Sequence, residues 1–467
     1  MLSRATRNKK YAFCSHASAL WLCAILVFTG TIAVSAGNNL PNPLITFDQS
    51  GFLSTYSTAG DIDLTNPFFR SLGTNGRSCV SCHQPTDAWT VTPPNIEARF
   101  NISGGNDPIF RPVDGANCPS ADVSTFQARK GAYSLLLKKG LIRISLPVPS
   151  GADFTIQNIR DPYDCPETTS SQPAMYRRPL PSTNLDFLAT VMWDGRETVK
   201  EQAISADLAQ QAIDATLGHA QASAPPSAEE VSEIVSFETA LYTTQVHDAN
   251  AGNLTAQGAT GGPENLSKQP FYLGINDALG QDPNGSFNPV VFTPYSAWAN
   301  ATGSRAAARQ SVARGEALFN TLPITITGVA GLNDLPGLEK INGTCTTCHD
   351  TPNAGNHSLS LALKIGTTDY PALPALDVSG LPVYTVACSD GSQLRVTDMG
   401  RAMLTAKCAD VGKLKGPILR GLAARAPYFH NGAAKSLMDV MEFYNERFNL
   451  NLTAQEKADL VAFLQTL

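Results

Sequence analysis

The sequence predicts a mainly α chain of two similar helical units carrying long loop insertions. Three observations support this. The pattern Cys-x-x-Cys-His occurs twice, at Cys79-Val80-Ser81-Cys82-His83 and at Cys345-Thr346-Thr347-Cys348-His349. Each copy is followed, well downstream, by an amphipathic segment that opens on a capping box, Ser227 with Glu230 and Thr453 with Glu456. Between pattern and segment each unit carries a second motif, Val191-Met192-Trp193-Asp194-Gly195-Arg196-Glu197 in one and Ala426-Pro427-Tyr428-Phe429-His430-Asn431-Gly432 in the other. Both place a ring residue before Asp or Asn and then Gly. Recurrence of several features in one order is the mark of a duplicated unit.

Taken in order, the 467 residues begin with a segment that reads as a processing signal. Arg4, Arg7, Lys9 and Lys10 precede an apolar run from Leu20 to Val34, and Val34-Ser35-Ala36 offers small residues for cleavage. Residues 1–36 are therefore expected to be a signal peptide, and the run is short for a bilayer span and broken by Thr29-Gly30-Thr31. The first unit, 37–248, opens at Asn66-Pro67-Phe68-Phe69-Arg70 and holds a loop-rich insert over about 84–180, with a short helix and strand near Lys130 to Ile144. Its closing helix runs from Ser227 through Val231, Ile234, Val235, Glu238, Leu241 and Tyr242, with His247 at its end. Residues 249–304, rich in Gly, Asn, Ala and Pro, read as a linker. The second unit, 305–467, opens on an entry helix over Arg305 to Asn320 and closes on a helix whose apolar face is Leu460, Val461, Phe463, Leu464 and Leu467.

The spacing in Cys-x-x-Cys-His has a chemical reason. Two thiols on one tight turn can both add to the vinyl groups along one edge of a haem, and the adjacent imidazole then lies under the ring as an axial iron ligand. Two copies in an exported chain favour this over a redox disulfide or a zinc half-site. The sequence thus predicts two covalently attached haem c groups, on Cys79, Cys82 and His83 and on Cys345, Cys348 and His349, and two cytochrome c-like haem domains around them. The remaining cysteines of the exported part, Cys118, Cys165, Cys388 and Cys408, suit disulfides in an oxidising compartment. Three pairings exist, and Cys118–Cys165 with Cys388–Cys408 keeps each bridge inside one haem domain.

A net charge of −6 with no basic cluster argues against nucleic acid as a partner. No later stretch is long and apolar enough for a stable membrane span. The expected location is the periplasm.

Taken together, the two haem patterns, Trp193-Asp194-Gly195-Arg196, the run from Leu419-Arg420 to Pro427-Tyr428-Phe429-His430-Asn431-Gly432, and Phe443-Tyr444-Asn445-Glu446-Arg447-Phe448 resemble the bacterial di-haem cytochrome c peroxidases and the related MauG proteins. The likeness is strongest over about 305–467, moderate over 60–83 and 185–245, and absent from the insert and the linker. It implies a hydrogen-peroxide-dependent oxidoreductase. The N-terminal haem would react with peroxide and the C-terminal haem would transfer electrons. These would come from a small electron-donor protein, a cytochrome c or a cupredoxin, or from an oxidised protein substrate.

The same resemblance implies roles for single residues. Trp193 would be the oxidisable ring between the haems and Arg196 a partner for a haem propionate. Tyr444 falls where MauG-like members carry an axial tyrosine and peroxidases a methionine. It shares a helical stripe with Leu437, Val440, Met441 and Phe448, and Met399, Met403 and Met441 are rival ligands. A phenolate favours oxidised iron, a thioether a higher potential. On the distal side of the first haem the chain departs from the pattern. Gln211 matches the family's glutamine segment, but the glutamate that handles protons falls on or near Gln221. His219 could replace it, ligate the iron, or be structural. Calcium is a further candidate ion between the domains, without a matching ligand set in this sequence. Two alternatives from other classes remain open, a non-enzymatic di-haem electron carrier and a di-haem oxygenase.

Overall fold

In a computed structural model, described here for residues 38–199 and 203–467, helix and strand both contribute. Residues 39–467 pack as one unit. The expected signal peptide lies outside the described residues. No helix among those described is long and apolar enough to cross a membrane.

The expected helices form with the caps anticipated. Ser227 accepts the Glu230 amide and Glu230 accepts the Ser227 amide, starting the helix Ala228–Thr239. Thr453 and Glu456 do the same for Ala454–Gln465. The entry helix is Ala306–Thr321, and it crosses Ala454–Gln465 at Gly315, where a Cβ would stand 1.9 Å from the Asp459 carbonyl oxygen. Only glycine permits this approach. The stripe carrying Tyr444 lies on the helix Leu437–Phe448.

The mainly α expectation is too narrow. The first closing helix stops at Thr239, and Leu241 and Tyr242 begin a strand, Leu241–Asp248, that also contains His247. Its β-branched and aromatic residues pair with Gly51–Ser57 in a four-stranded sheet that includes Leu44–Asp48 and Gly252–Asn253. The insert also forms strands as well as the short helices Phe126–Ala132 and Ser134–Lys139. Its strand Phe154–Arg160 pairs antiparallel with Val383–Cys388, itself paired with Gln393–Val396. A segment from one half of the chain is thereby hydrogen-bonded to the other. These strands are short and lie between turn-rich stretches, so their period-two alternation is hidden in a composition that reads as loop.

The 249–304 stretch also packs. Phe292, Tyr295 and Trp298 are fully buried against Phe319 and Phe463, and Glu316 accepts the Tyr295 amide at 2.7 Å. Three large aromatics within seven residues would not stay exposed. Cys118 is bonded to Cys165 and Cys388 to Cys408, with Cα separations of 5.5 and 5.7 Å.

Candidate haem sites

The two Cys-x-x-Cys-His segments fold alike. In the first, the amides of Cys82 and His83 donate to the Cys79 carbonyl at 3.1 and 3.0 Å; in the second, those of Cys348 and His349 donate to the Cys345 carbonyl at 3.3 and 3.2 Å. A hydroxyl fastens each turn, Ser81 Oγ accepting the Ser78 amide and Thr347 Oγ1 the Thr344 amide. The four thiols are free. His83 Nδ1 donates to the Trp89 carbonyl at 3.0 Å and His349 Nδ1 to the Gly355 carbonyl at 2.7 Å, each six residues downstream. Both Nε2 atoms remain available as metal donors, and the backbone bond sets ring orientation. Burial is the main reason both imidazoles are held below their usual range, His83 to about 4, so each stays a neutral ligand.

Each segment opens onto its own cavity with a mostly apolar lining. Three buried cations border them without a carboxylate partner among the described residues. Arg178 donates only to the carbonyls of Lys139, Val91 and Arg425. Arg425 donates to the Ile418 carbonyl and leaves Nε unbonded, and Lys415 donates to the Thr190 carbonyl at 2.6 Å. Burial brings Lys415 down to about 7 and both arginines to about 10. Uncompensated buried cations are costly. Two thiols, an imidazole, apolar walls and unpaired cations fit a flat, mostly apolar group with carboxylate substituents, as haem is.

Trp193 lines both cavities. Its indole NH donates to the Arg178 carbonyl at 2.8 Å, and its ring meets His430 edge-on at 6.1 Å between centroids. The two second motifs are superposable in backbone. Met192 and Phe429 both adopt positive φ, 64° and 65°, as do Gly195 and Gly432, at 77° and 62°. The Arg196 amide donates to Asp194 and the Ala433 amide to Asn431, at 3.2 Å in each case.

The walls facing the two imidazoles differ. In the first cavity the helix Ile204–Gly218 presents Leu208, Gln211, Ala212, Ala215 and Thr216, with His219 just beyond its end. His219 Nδ1 bonds to Asp114, which Arg77 grips at 2.5 Å, leaving His219 Nε2 free. Gln221 is exposed and lies outside the cavity lining, bonded to Asn75, so the expected proton-handling position holds nothing that reaches the site. In the second cavity the lining is more apolar and includes Met441 and Tyr444, both on the helix Leu437–Phe448. Burial raises the Tyr444 phenol well above its usual range, the nearby Cys348 and Cys345 adding to this. Met399 and Met403 are buried in another cluster, with Tyr384 and Val396, and do not line the second cavity.

No family model matches this chain. Over 140 residues it is 34% identical to the cytochrome-c peroxidase IdrP2 of Denitromonas iodatirespirans, covering 27% of this chain and 36% of that protein. Over 189 residues it is 31% identical to the cytochrome-c peroxidase IdrP1 of Pseudomonas sp. (strain SCT), covering 37% and 44%. Over these stretches the chain is similar to cytochrome-c peroxidases. It spans less than half the length of these curated relatives. A MauG-like protein associated with microbial copper homeostasis aligns over 86% of both chains at 16% identity, with a TM-score of 0.36.

Several residues in and around these cavities had no sequence signal. Arg177 is buried and bonds Asp398 through two nitrogens at 2.8 Å and Asp194 at 2.5 Å. Burial would raise Asp194, but Arg177 and then Arg196 outweigh it and bring the carboxyl to about 2. Arg196, expected at a propionate, lines the first cavity with its guanidinium between Asp194, at 3.3 Å, and Glu197, at 3.6 Å. Glu238 lines the same cavity with Oε2 unbonded, and burial lifts it to about 7.

Proposed function

We propose that the chain is a periplasmic di-haem c-type cytochrome that reduces hydrogen peroxide at its first site with electrons relayed from its second. The observation that carries this reading is Trp193, which borders both cavities. The bound haems would supply the redox chemistry, held by Cys79 and Cys82 and by Cys345 and Cys348, with His83 and His349 as nitrogen donors to the iron. The chain's own residues do the rest. Converting one peroxide to two waters consumes two electrons and two protons, so the first cavity needs a proton-handling group. His219 is the best placed, because Asp114 fixes its tautomer and leaves Nε2 free. Gln211, on the same wall, supplies an amide that can orient peroxide. Trp193 offers an oxidisable ring between the sites. Tyr444 is favoured over Met399 and Met403 as the far ligand of the second haem because it borders that cavity. A small cytochrome or cupredoxin, or an oxidised protein substrate, would be the donor. Export is supported by the leader pattern and by two disulfides, which persist in oxidising compartments.

The test is spectroscopy of the fully oxidised and half-reduced protein, with and without peroxide. The expected result is that peroxide changes the spectrum of one haem and is consumed in proportion to donor oxidised. Low-spin signals from both haems at every redox level, unmoved by peroxide, would identify an electron carrier and overturn the proposal.

A further inference from the structure

Beside the second Cys-x-x-Cys-His segment lies a cluster that the haem reading does not use, although one member, His357, also borders the second cavity. Asp277, Asp350 and His357 bring one donor atom each to within 4.8 Å of one another. Both aspartates are 0% exposed and His357 is 5% exposed. Each carboxylate is anchored through one oxygen. Asp277 Oδ2 accepts the amides of Leu279 and Gln281 at 3.1 and 2.8 Å, and Asp350 Oδ1 accepts the Ser358 amide at 2.7 Å. The other oxygens, Asp277 Oδ1 and Asp350 Oδ2, are buried with no hydrogen-bond partner. His357 Nδ1 accepts the Leu359 amide at 3.2 Å and stands 3.5 Å from Asp350 Oδ2. That nitrogen therefore carries no proton and stands beside a carboxylate oxygen, and a metal ion would take its one lone pair from the long Leu359 bond. No Lys or Arg forms an ion pair with either aspartate among the described residues.

Two orphaned carboxylate oxygens and an imidazole lone pair, converging out of water, repel one another unless a positive charge lies among them. We propose that this cluster binds a divalent transition-metal ion of the zinc class. A nitrogen donor with only two carboxylates is a poor cage for calcium or magnesium, which take six or more oxygens. Three protein donors match the smaller coordination number of zinc. The backbone bonds on the outer oxygens are the supports that orient metal-bound carboxylates. The ion joins the 274–282 turn to the loop between His349 and His357. Gly274 already donates to the Ser358 carbonyl there at 3.0 Å, and Asn276 Nδ2 to the Asp350 carbonyl at 3.0 Å. It thus braces the loop whose Gly355 carbonyl orients His349. The assignment does not depend on the peroxidase reading.

The test uses the mature protein with its haems. Elemental analysis should find one zinc-class ion per chain besides iron. Chelator-treated protein should take up one Zn²⁺ by calorimetry and melt at a higher temperature once loaded. Asp277→Asn keeps the shape and one oxygen acceptor, and should lower zinc affinity by at least the ~10–100-fold that loss of a supporting contact costs. His357→Gln should do the same, and decides the matter if the first variant does not fold by circular dichroism. The proposal is overturned by iron as the sole metal with no Zn²⁺ uptake, as a proton shared by the two aspartates would give. Uptake of Ca²⁺ in preference to Zn²⁺, or affinity unchanged in a folded variant, would also overturn it.

Discussion

The two cavities share a floor and differ in their roof. Below, the cysteine turns, their hydroxyl fasteners and the carbonyl six residues past each histidine correspond almost atom for atom. Above, one cavity faces Gln211 and a histidine held by a carboxylate, and the other faces Met441 and Tyr444 in an apolar wall. The two segments share what attachment of a cofactor requires. The opposite walls, which would decide what reaches the metal, have diverged. Equal floors argue for equal cofactors, and unequal roofs argue for unequal work.

The largest expected effect lies in the first roof. His219→Gln removes the ring nitrogen aimed at the cavity, and peroxide turnover should fall by ~10²–10⁴-fold, the usual range for a proton-transfer group. The resting spectrum of the first haem should stay as it is. If that spectrum changes, His219 is an iron ligand, and the two roofs are more alike than they look.

Next is the joint between the cavities. Arg177 is wholly buried between Asp398 and Asp194, and Asp194 lies in the turn that carries Trp193. Arg177→Met strands two buried carboxylates and should cost about 3–5 kcal/mol in chemical unfolding. Loss of less than 1 kcal/mol would mean that the turn is held by its own local hydrogen bonds without the arginine.

The floors were legible in the sequence because attachment chemistry demands a contiguous pattern. So were the capped helices, whose signals are local. The roofs were legible only in part. Gln211 and Tyr444 were found through resemblance, whereas Asp114, which positions His219, is 105 residues away in the chain and carries no motif. Arg177 and Lys415 were invisible for the same reason, since burial of a charge is a property of the fold, and Glu238 stood on the apolar stripe of its helix without a role. The strands Phe154–Arg160 and Val383–Cys388 pair across more than 200 residues, beyond any local periodicity.

Glu238 gives a third, smaller test. Its carboxyl is raised to about 7 by burial, from an ordinary value near 4.5. The folded state therefore binds a proton that the unfolded state has released. That contribution is full below about pH 4.5 and is lost as pH rises toward 7, amounting to roughly 3 kcal/mol. Glu238→Gln should remove this slope, making the variant relatively more stable at neutral pH than at pH 4.5. Identical pH profiles for variant and parent would show that Glu238 is charged in the folded protein and paired within the first cavity.

The smallest effect is expected at the second roof. The Tyr444 hydroxyl has no hydrogen-bond partner among the described residues, so Tyr444→Phe should change stability by no more than ~1 kcal/mol. Its ring contacts with Phe429, Phe443 and Phe448 survive the substitution. The visible spectrum is the sensitive readout. If the phenol oxygen binds the second iron, one haem should change and the other stay as it was. Met441 lines the same cavity and is the remaining rival, so Met441→Leu serves as the control. A spectrum altered by Met441→Leu and untouched by Tyr444→Phe would transfer the ligand to the thioether. The second site would then be built for a higher potential, making it easier to reduce and a better reservoir for electrons delivered by a small donor protein.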